Sequence, residues 1–269
     1  MKRTLKLVLY YFGYQLAFTI VASVISVVLA HLGMVDKDVA ILNATAIALL
    51  LSGIMMGWHL IHFKYITFGW KSFGEVPAKS LWLSIPFILA SMVFINLCSE
   101  FIDLPNWMEN DFFAMSRNLF GILSVAVMAP VVEEFLFRGA IEGHLLRQGK
   151  KPWAAIFISA LVFGLIHINP AQVPFAFAIG LVFGWLYYRT GSMVPGILGH
   201  FINNSIACIQ MATLSKEELH TKTADMIGQE ATLALFLASF IVMAGLFLYM
   251  KKHLPKAPEY KEEEESLTI

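Results

Sequence analysis

Long apolar runs separated by short polar stretches recur along this 269-residue chain. Eight of them stand out: 7–31, 40–60, 81–99, 118–138, 153–168, 173–188, 194–212 and 231–250. About 20 consecutive apolar residues, as a helix, cross the hydrocarbon core of a bilayer. No stretch alternates apolar and polar residues with the period of two that a membrane β-barrel strand needs. The pattern predicts an all-α, polytopic membrane protein with eight transmembrane helices.

Composition agrees. Hydrophobic residues make up 58% of the chain and charged residues 14%, against about 45–50% and about 25% in an ordinary soluble domain. Lys plus Arg and Asp plus Glu are 19 each, so the formal net charge is zero. These figures exclude a soluble enzyme, a disordered protein and a basic nucleic-acid binder. Only Glu133, Glu134 and Arg138 among the charged residues fall inside the apolar runs. The Lys and Arg of the loops sort into two groups. One side collects Lys2, Arg3, Lys6, Lys64, Lys71, Lys79, Arg147, Lys150, Lys151, Arg189, Lys251, Lys252, Lys256 and Lys261; the other has Lys37, Arg117, Lys216 and Lys222. This asymmetry predicts both termini in the cytoplasm and an even number of spans. The first run is too long for a signal-peptide core and lacks a small-x-small cleavage site. The absence of a transit or retention signal fits the plasma (inner) membrane of a prokaryote.

Four regions follow from the distribution of polar residues. Residues 1–112 hold three plain spans, 113–212 a chemically distinct core of four, 213–250 a loop and the eighth span, and 251–269 a charged cytoplasmic tail ending in the acidic run Glu262–Glu265. In the first region His59 and His62 share a helix face beside Lys64 and read as interfacial histidines rather than metal ligands. Asn43 and Asn96 read as helix-helix hydrogen-bond partners. In the core, Ala176, Gly180 and Gly184 recur at four-residue steps, a spacing that packing alone explains. Gly191, Pro195 and Gly196 interrupt the helical pattern between spans six and seven. Cys98 and Cys208 make no disulfide framework and no zinc-type spacing.

Three segments of the core carry chemistry: Glu133-Glu134 with Arg138, Phe163 with His167, and His200 with Asn203 and Asn204. An ionised side chain inside a bilayer costs at least about 2.5–3.5 kcal/mol, so two adjacent acids need a reason. Glu134 and Arg138 stand at i and i+4 in the order that favours a helical ion pair. Glu133 points about 100° away and needs a partner from another helix; the plainer reading has both acids sharing Arg138. Antiparallel helices joined by a turn at 148–152 place Glu133 and His167 level, each about 22 Å from the turn. This requires the fourth helix to run past Arg138 toward Arg147, as an extension into the cytoplasm that includes Glu142. His200 and Asn204 share a face, with Asn203 ranking second as the functional amide. A glutamate, two histidines and an amide suggest a water nucleophile activated by Glu133, with the histidines and Asn204 donating to an oxyanion or holding a metal. No HExxH is present, although three dispersed ligands, Glu133, His167 and His200, are candidates for zinc.

In this order on successive helices, EExxxR, FxxxH and HxxxN resemble the motifs of the CPBP family of intramembrane proteases, which includes the type II CAAX prenyl endopeptidases and bacteriocin-processing and self-immunity proteins. The resemblance covers residues 118–212. It implies eight helices around a conical cavity opening to the membrane and cytoplasm, with Glu133 activating water. It further implies that His167, His200 and Asn204 position that water or stabilise the oxyanion, and that Glu134 and Arg138 support them, with Phe163 as part of the second motif. The family has been described both as metalloproteases and as metal-independent glutamate proteases. The expectation here is a site without a cofactor. The expected partners are the lipid bilayer and a membrane-associated protein or peptide substrate. Two other functions fit the same residues: a non-proteolytic membrane scaffold or regulator of the same family, and a proton-coupled transporter, since buried Glu, His and Arg also make proton relays. No inverted repeat favours the transporter.

Overall fold

A computed structural model describes residues 2–66, 76 and 78–254. Lys71 and most of the charged tail lie outside the described residues. Helices occupy each apolar run: α1 Lys2–His31, α2 Lys37–His62, α3 Ala78–Ser99, α4 Leu119–Arg147, α5 Pro152–Leu165, α6 Val173–Thr190, α7 Val194–Thr213 and α8 Gln229–His253. Three short helices, Glu109–Met115, Lys216–His220 and Thr223–Ile227, lie in the connections. No strand occurs among the described residues. Five helices, α1, α2, α3, α4 and α8, are long and apolar enough to cross a bilayer, and α5 is a shorter apolar helix. The protein is an all-helical, multi-pass membrane protein.

Local chemistry explains the boundaries. The Asp36 carboxylate accepts from the Asp38 and Val39 amides at the start of α2, and the Asn118 side chain accepts from Gly121 at the start of α4; both satisfy amides that have no intrahelical partner. Pro152 opens α5 in the first turn, where its missing N–H is not needed. Gly191 ends α6 in the left-handed region, with φ 69°, a conformation that costs little only without a Cβ.

The fourth helix is not uniform. It is α-helical over Leu119–Ile122, π-helical over Leu123–Met128, α-helical over Ala129–Glu134, π-helical over Phe135–Glu142, and α-helical again over Gly143–Arg147. A π-helical stretch bonds i to i−5 and widens the turn, and such insertions are frequent at functional sites. It continues past Arg138 to Arg147, as the sequence requires, but the α-helical ruler used to level Glu133 with His167 does not hold along it. Nor is Glu142 part of a solvated extension: it is fully buried.

The chain divides into two compact units. The first comprises Met1–Tyr65, Trp107–Leu136 and His200–His220. Here α1 packs along α2, and α2 packs on the first half of α4. Asn43 of α2 accepts a hydrogen bond from Asn118 at 2.7 Å, and the Ser124 hydroxyl donates to the Ala46 carbonyl at 2.7 Å. Asn43 therefore ties two helices together as expected; the carbonyl of Asn96 accepts locally from the Ser99 hydroxyl. The second unit comprises Ile66–Asn106, Phe137–Gly199 and Thr221–Ile269. In it α5 pairs with α6, and α3 packs on both α6 and α8. Phe87, Trp185 and Phe247 form a ring cluster among these helices. Gly180 and Gly184 admit close neighbours: a Cβ on Gly180 would meet Phe163 and Ala160, and one on Gly184 would meet the Glu142 carboxylate at 2.7 Å. The packing reading of this stripe is sufficient.

Candidate active site

In the first unit, Glu133 and Glu134 sit at the end of the six-residue α-helical turn between the two π-helical stretches. Burial is nearly complete: 7% and 0% exposed, against 5% for His200. The imidazole of His200 lies between the two carboxylates. Its Nε2 is 3.8 Å from Glu133 Oε2, and its Nδ1 is 3.5 Å from Glu134 Oε1. Thus the partner that Glu133 needs from another helix is His200 of α7. Asn204, one turn on, is held by its own network: its Nδ2 donates to the Val125 carbonyl at 2.8 Å, and its Oδ1 accepts from Asn203 Nδ2 at 3.1 Å. Val125 lies in the first π-helical stretch, where the regular α-helical ladder is interrupted and a carbonyl can take a side-chain donor. Asn203 is thus hydrogen-bonded to Asn204 within the same network.

One contributor escaped the sequence reading. Tyr11 of α1, itself buried, donates from its hydroxyl to Glu133 Oε1 at 3.1 Å. The only signal was a tyrosine in the first apolar run, where Tyr10 and Tyr14 are equally eligible. Tyr14 instead bonds His59 Nδ1 at 2.8 Å. Rings of Tyr10, Phe63 and Tyr65 surround His59, and His62 stacks on Trp58.

The other sequence-predicted residues belong to the second unit. Arg138 is fully buried in the second π-helical stretch. Its guanidinium donates to the Gly180 carbonyl at 3.3 Å and lies over the rings of Phe163 and Phe183, so Phe163 is a seat for Arg138. His167 follows the last turn of α5. Its Nδ1 is 2.8 Å from the Phe163 carbonyl; a carbonyl only accepts, so Nδ1 is the donor. The next residue, Ile168, has φ 59°, an unfavourable conformation for a β-branched side chain that costs on the order of 1–3 kcal/mol. Buried Asn169 anchors the loop by donating to Asn106 at 2.7 Å. Strain of this kind persists only where the surroundings over-determine it.

Among the described residues no group of three or more His, Cys, Asp or Glu side chains is arranged to hold a metal ion.

The fold and the carboxylate-histidine cluster define a class: a multi-pass helical membrane protein with a buried, ionisable site. Residues 115–206 match the family model described as type II CAAX prenyl endopeptidase Rce1-like. The chain is 27% identical over 105 residues to the candidate membrane peptidase YdiL of Bacillus subtilis (strain 168), covering 39% of this chain and 43% of that protein. It is 30% identical over 93 residues to the membrane-embedded CAAX protease MroQ of Staphylococcus aureus (strain USA300), covering 33% and 38%. The chain thus spans about two-fifths of the length of the curated relatives it matches. No solved structure matches it significantly. Residues 115–206, the segment similar to that family model, contain all three motifs, in agreement with the resemblance to the CPBP family read from the sequence.

Proposed function

We propose that this protein is an intramembrane endopeptidase that hydrolyses a peptide bond of a membrane-associated protein or peptide with a water activated by Glu133. The observation that carries this reading is the pair Glu133 Oε2 and His200 Nε2. They are buried and face each other across 3.8 Å, too far for a direct hydrogen bond and suited to a bridging water. Among the described residues Glu133 Oε2 accepts no hydrogen bond, so its lone pair is available to a proton. In the first step Glu133 takes a proton from water as the water oxygen bonds to the scissile carbonyl carbon. The carbonyl π electrons move to oxygen, and donors stabilise the resulting oxyanion. His200, with a carboxylate at each nitrogen, and the second N–H of Asn204 are assigned as those donors. His167 is assigned a part in the reaction from its place in the FxxxH motif alone. Glu133 then returns the proton to the leaving amine as the C–N bond breaks.

Glu134 orients His200 in this scheme, and Arg138 with Phe163 supports the fourth helix. We further propose that catalysis needs no metal and that the site opens toward the cytoplasm. The setting would be a prokaryotic plasma membrane with both termini inside, as the Lys and Arg asymmetry and the two bacterial relatives suggest. The test compares the membrane proteomes of cells carrying wild type and Glu133→Gln. Expected are new protein termini found with wild type and missing with the variant; identical termini in both would sink the reading. Stoichiometric zinc in protein purified without chelator would overturn the metal-independent mechanism. Reporter fusions at the carboxyl tail test the orientation.

A further inference from the structure

The region that matches the family model begins at residue 115, yet a hydrogen bond to the Glu133 side chain comes from Tyr11 of α1, 122 residues earlier. Most of α1 faces outward: Leu5, Leu9 and Leu16 are all more than 60% exposed. Its buried residues in the amino half are Thr4, Leu7 and Tyr11, spaced 3 and 4 apart and hence on one stripe. Tyr11 is the member of that stripe with a long polar reach.

We infer that Tyr11 is a positioning residue for Glu133, its hydroxyl holding Oε1 so that Oε2 is turned to His200 Nε2. The inference rests on the proposed role of Glu133 as base. The terminal torsion of a glutamate is broad and roughly two-fold, so an unanchored carboxylate spreads its oxygens over many directions. A donor fixed on Oε1 selects one plane and leaves the other oxygen's lone pair for the proton. Near-attack geometry of this kind is what positioning residues supply. On this reading α1 is part of the active centre rather than a plain anchor.

The experiment compares Tyr11→Phe, Tyr11→Ala and Glu133→Gln in proteoliposomes with a quenched fluorescent peptide ending in a farnesylated CAAX sequence. The expected result for Tyr11→Phe is a fall in kcat of about tenfold or more, the range set by a hydrogen bond to a charged group, with KM and melting temperature held. A purely structural tyrosine gives the opposite: Tyr11→Phe is silent and only Tyr11→Ala melts early. A second readout does not need turnover. The infrared difference between wild type and Glu133→Gln isolates the Glu133 carboxyl band, and the same difference is taken in the Tyr11→Phe background. A displaced band supports the inference, and an unmoved band overturns it, even if the peptide is not cleaved. Full activity of Glu133→Gln would remove the base role itself, whereas an inactive Glu133→Gln beside a fully active Tyr11→Phe would remove only the role of Tyr11.

Discussion

Helices α4 and α8 look alike as strings of apolar letters and behave as opposites. Their most apolar windows have mean hydropathies of 1.9 and 2.4, and both helices are long enough to cross a bilayer. Half of the α4 window is buried inside the protein, against 6% of the α8 window. The difference lies in what interrupts the apolar letters. The interruptions of α4 are Glu133, Glu134, Arg138 and Glu142, and all are buried. Apart from its ends, α8 carries only small or weakly polar residues such as Ser239 and Gly245. Lipid tails are as apolar as leucine, so apolarity alone does not draw a helix inward. A charge that must leave hydrocarbon does.

The contrast can be broken at its strongest point first. Glu133→Gln should abolish peptide cleavage, a loss of about 100- to 10,000-fold or more for a general base, while leaving the detergent-solubilised protein folded by circular dichroism. Glu134→Gln should reduce activity and also lower thermal stability by about 1–3 kcal/mol, because it removes the buried carboxylate charge 3.5 Å from His200 Nδ1; a melting curve in detergent reads this. Glycines give the finest comparison. A Cβ on Gly121 of α4 would clash with the Met115 carbonyl, whereas among the described residues nothing lies within 4 Å of one on Gly245 of α8. Gly121→Ala should destabilise by about 1–3 kcal/mol through overpacking. Gly245→Ala should stabilise by about 0.5–1 kcal/mol, the ordinary helix preference. Equal effects of the two glycine substitutions on melting temperature would show that the packing contrast is not real.

The pairing of Glu133 with a residue of another helix was legible in the sequence. Its local i+4 neighbour is apolar Phe137, and a lone carboxylate in an apolar run demands a distant partner. That this partner is His200, with Glu134 on its other nitrogen, needed the structure. Arg138 was legible as a buried charge. Its seat on Phe163 and Phe183 and its bond to the Gly180 carbonyl were not, because the π-helical stretch shifts the angle at which every residue from Phe135 onward leaves the helix.

The sequence by itself determined where the helices run and which side chains had to be exceptional. Both follow from one property of the bilayer: it accepts long apolar segments and rejects charge. Tertiary structure decided three further things. It chose Tyr11 from three tyrosines of α1, since which one faces inward depends on the rotation of the whole helix. It inserted two π-helical stretches into α4 around the adjacent glutamates, because the relative favour of i−4 and i−5 bonds is set by what packs alongside. It also buried Glu142 against the glycine face of α6, where linear position beyond the apolar run had suggested solvent. Each of these choices turns on differences of a few kcal/mol between neighbouring packings, too small to leave a trace in a one-dimensional pattern.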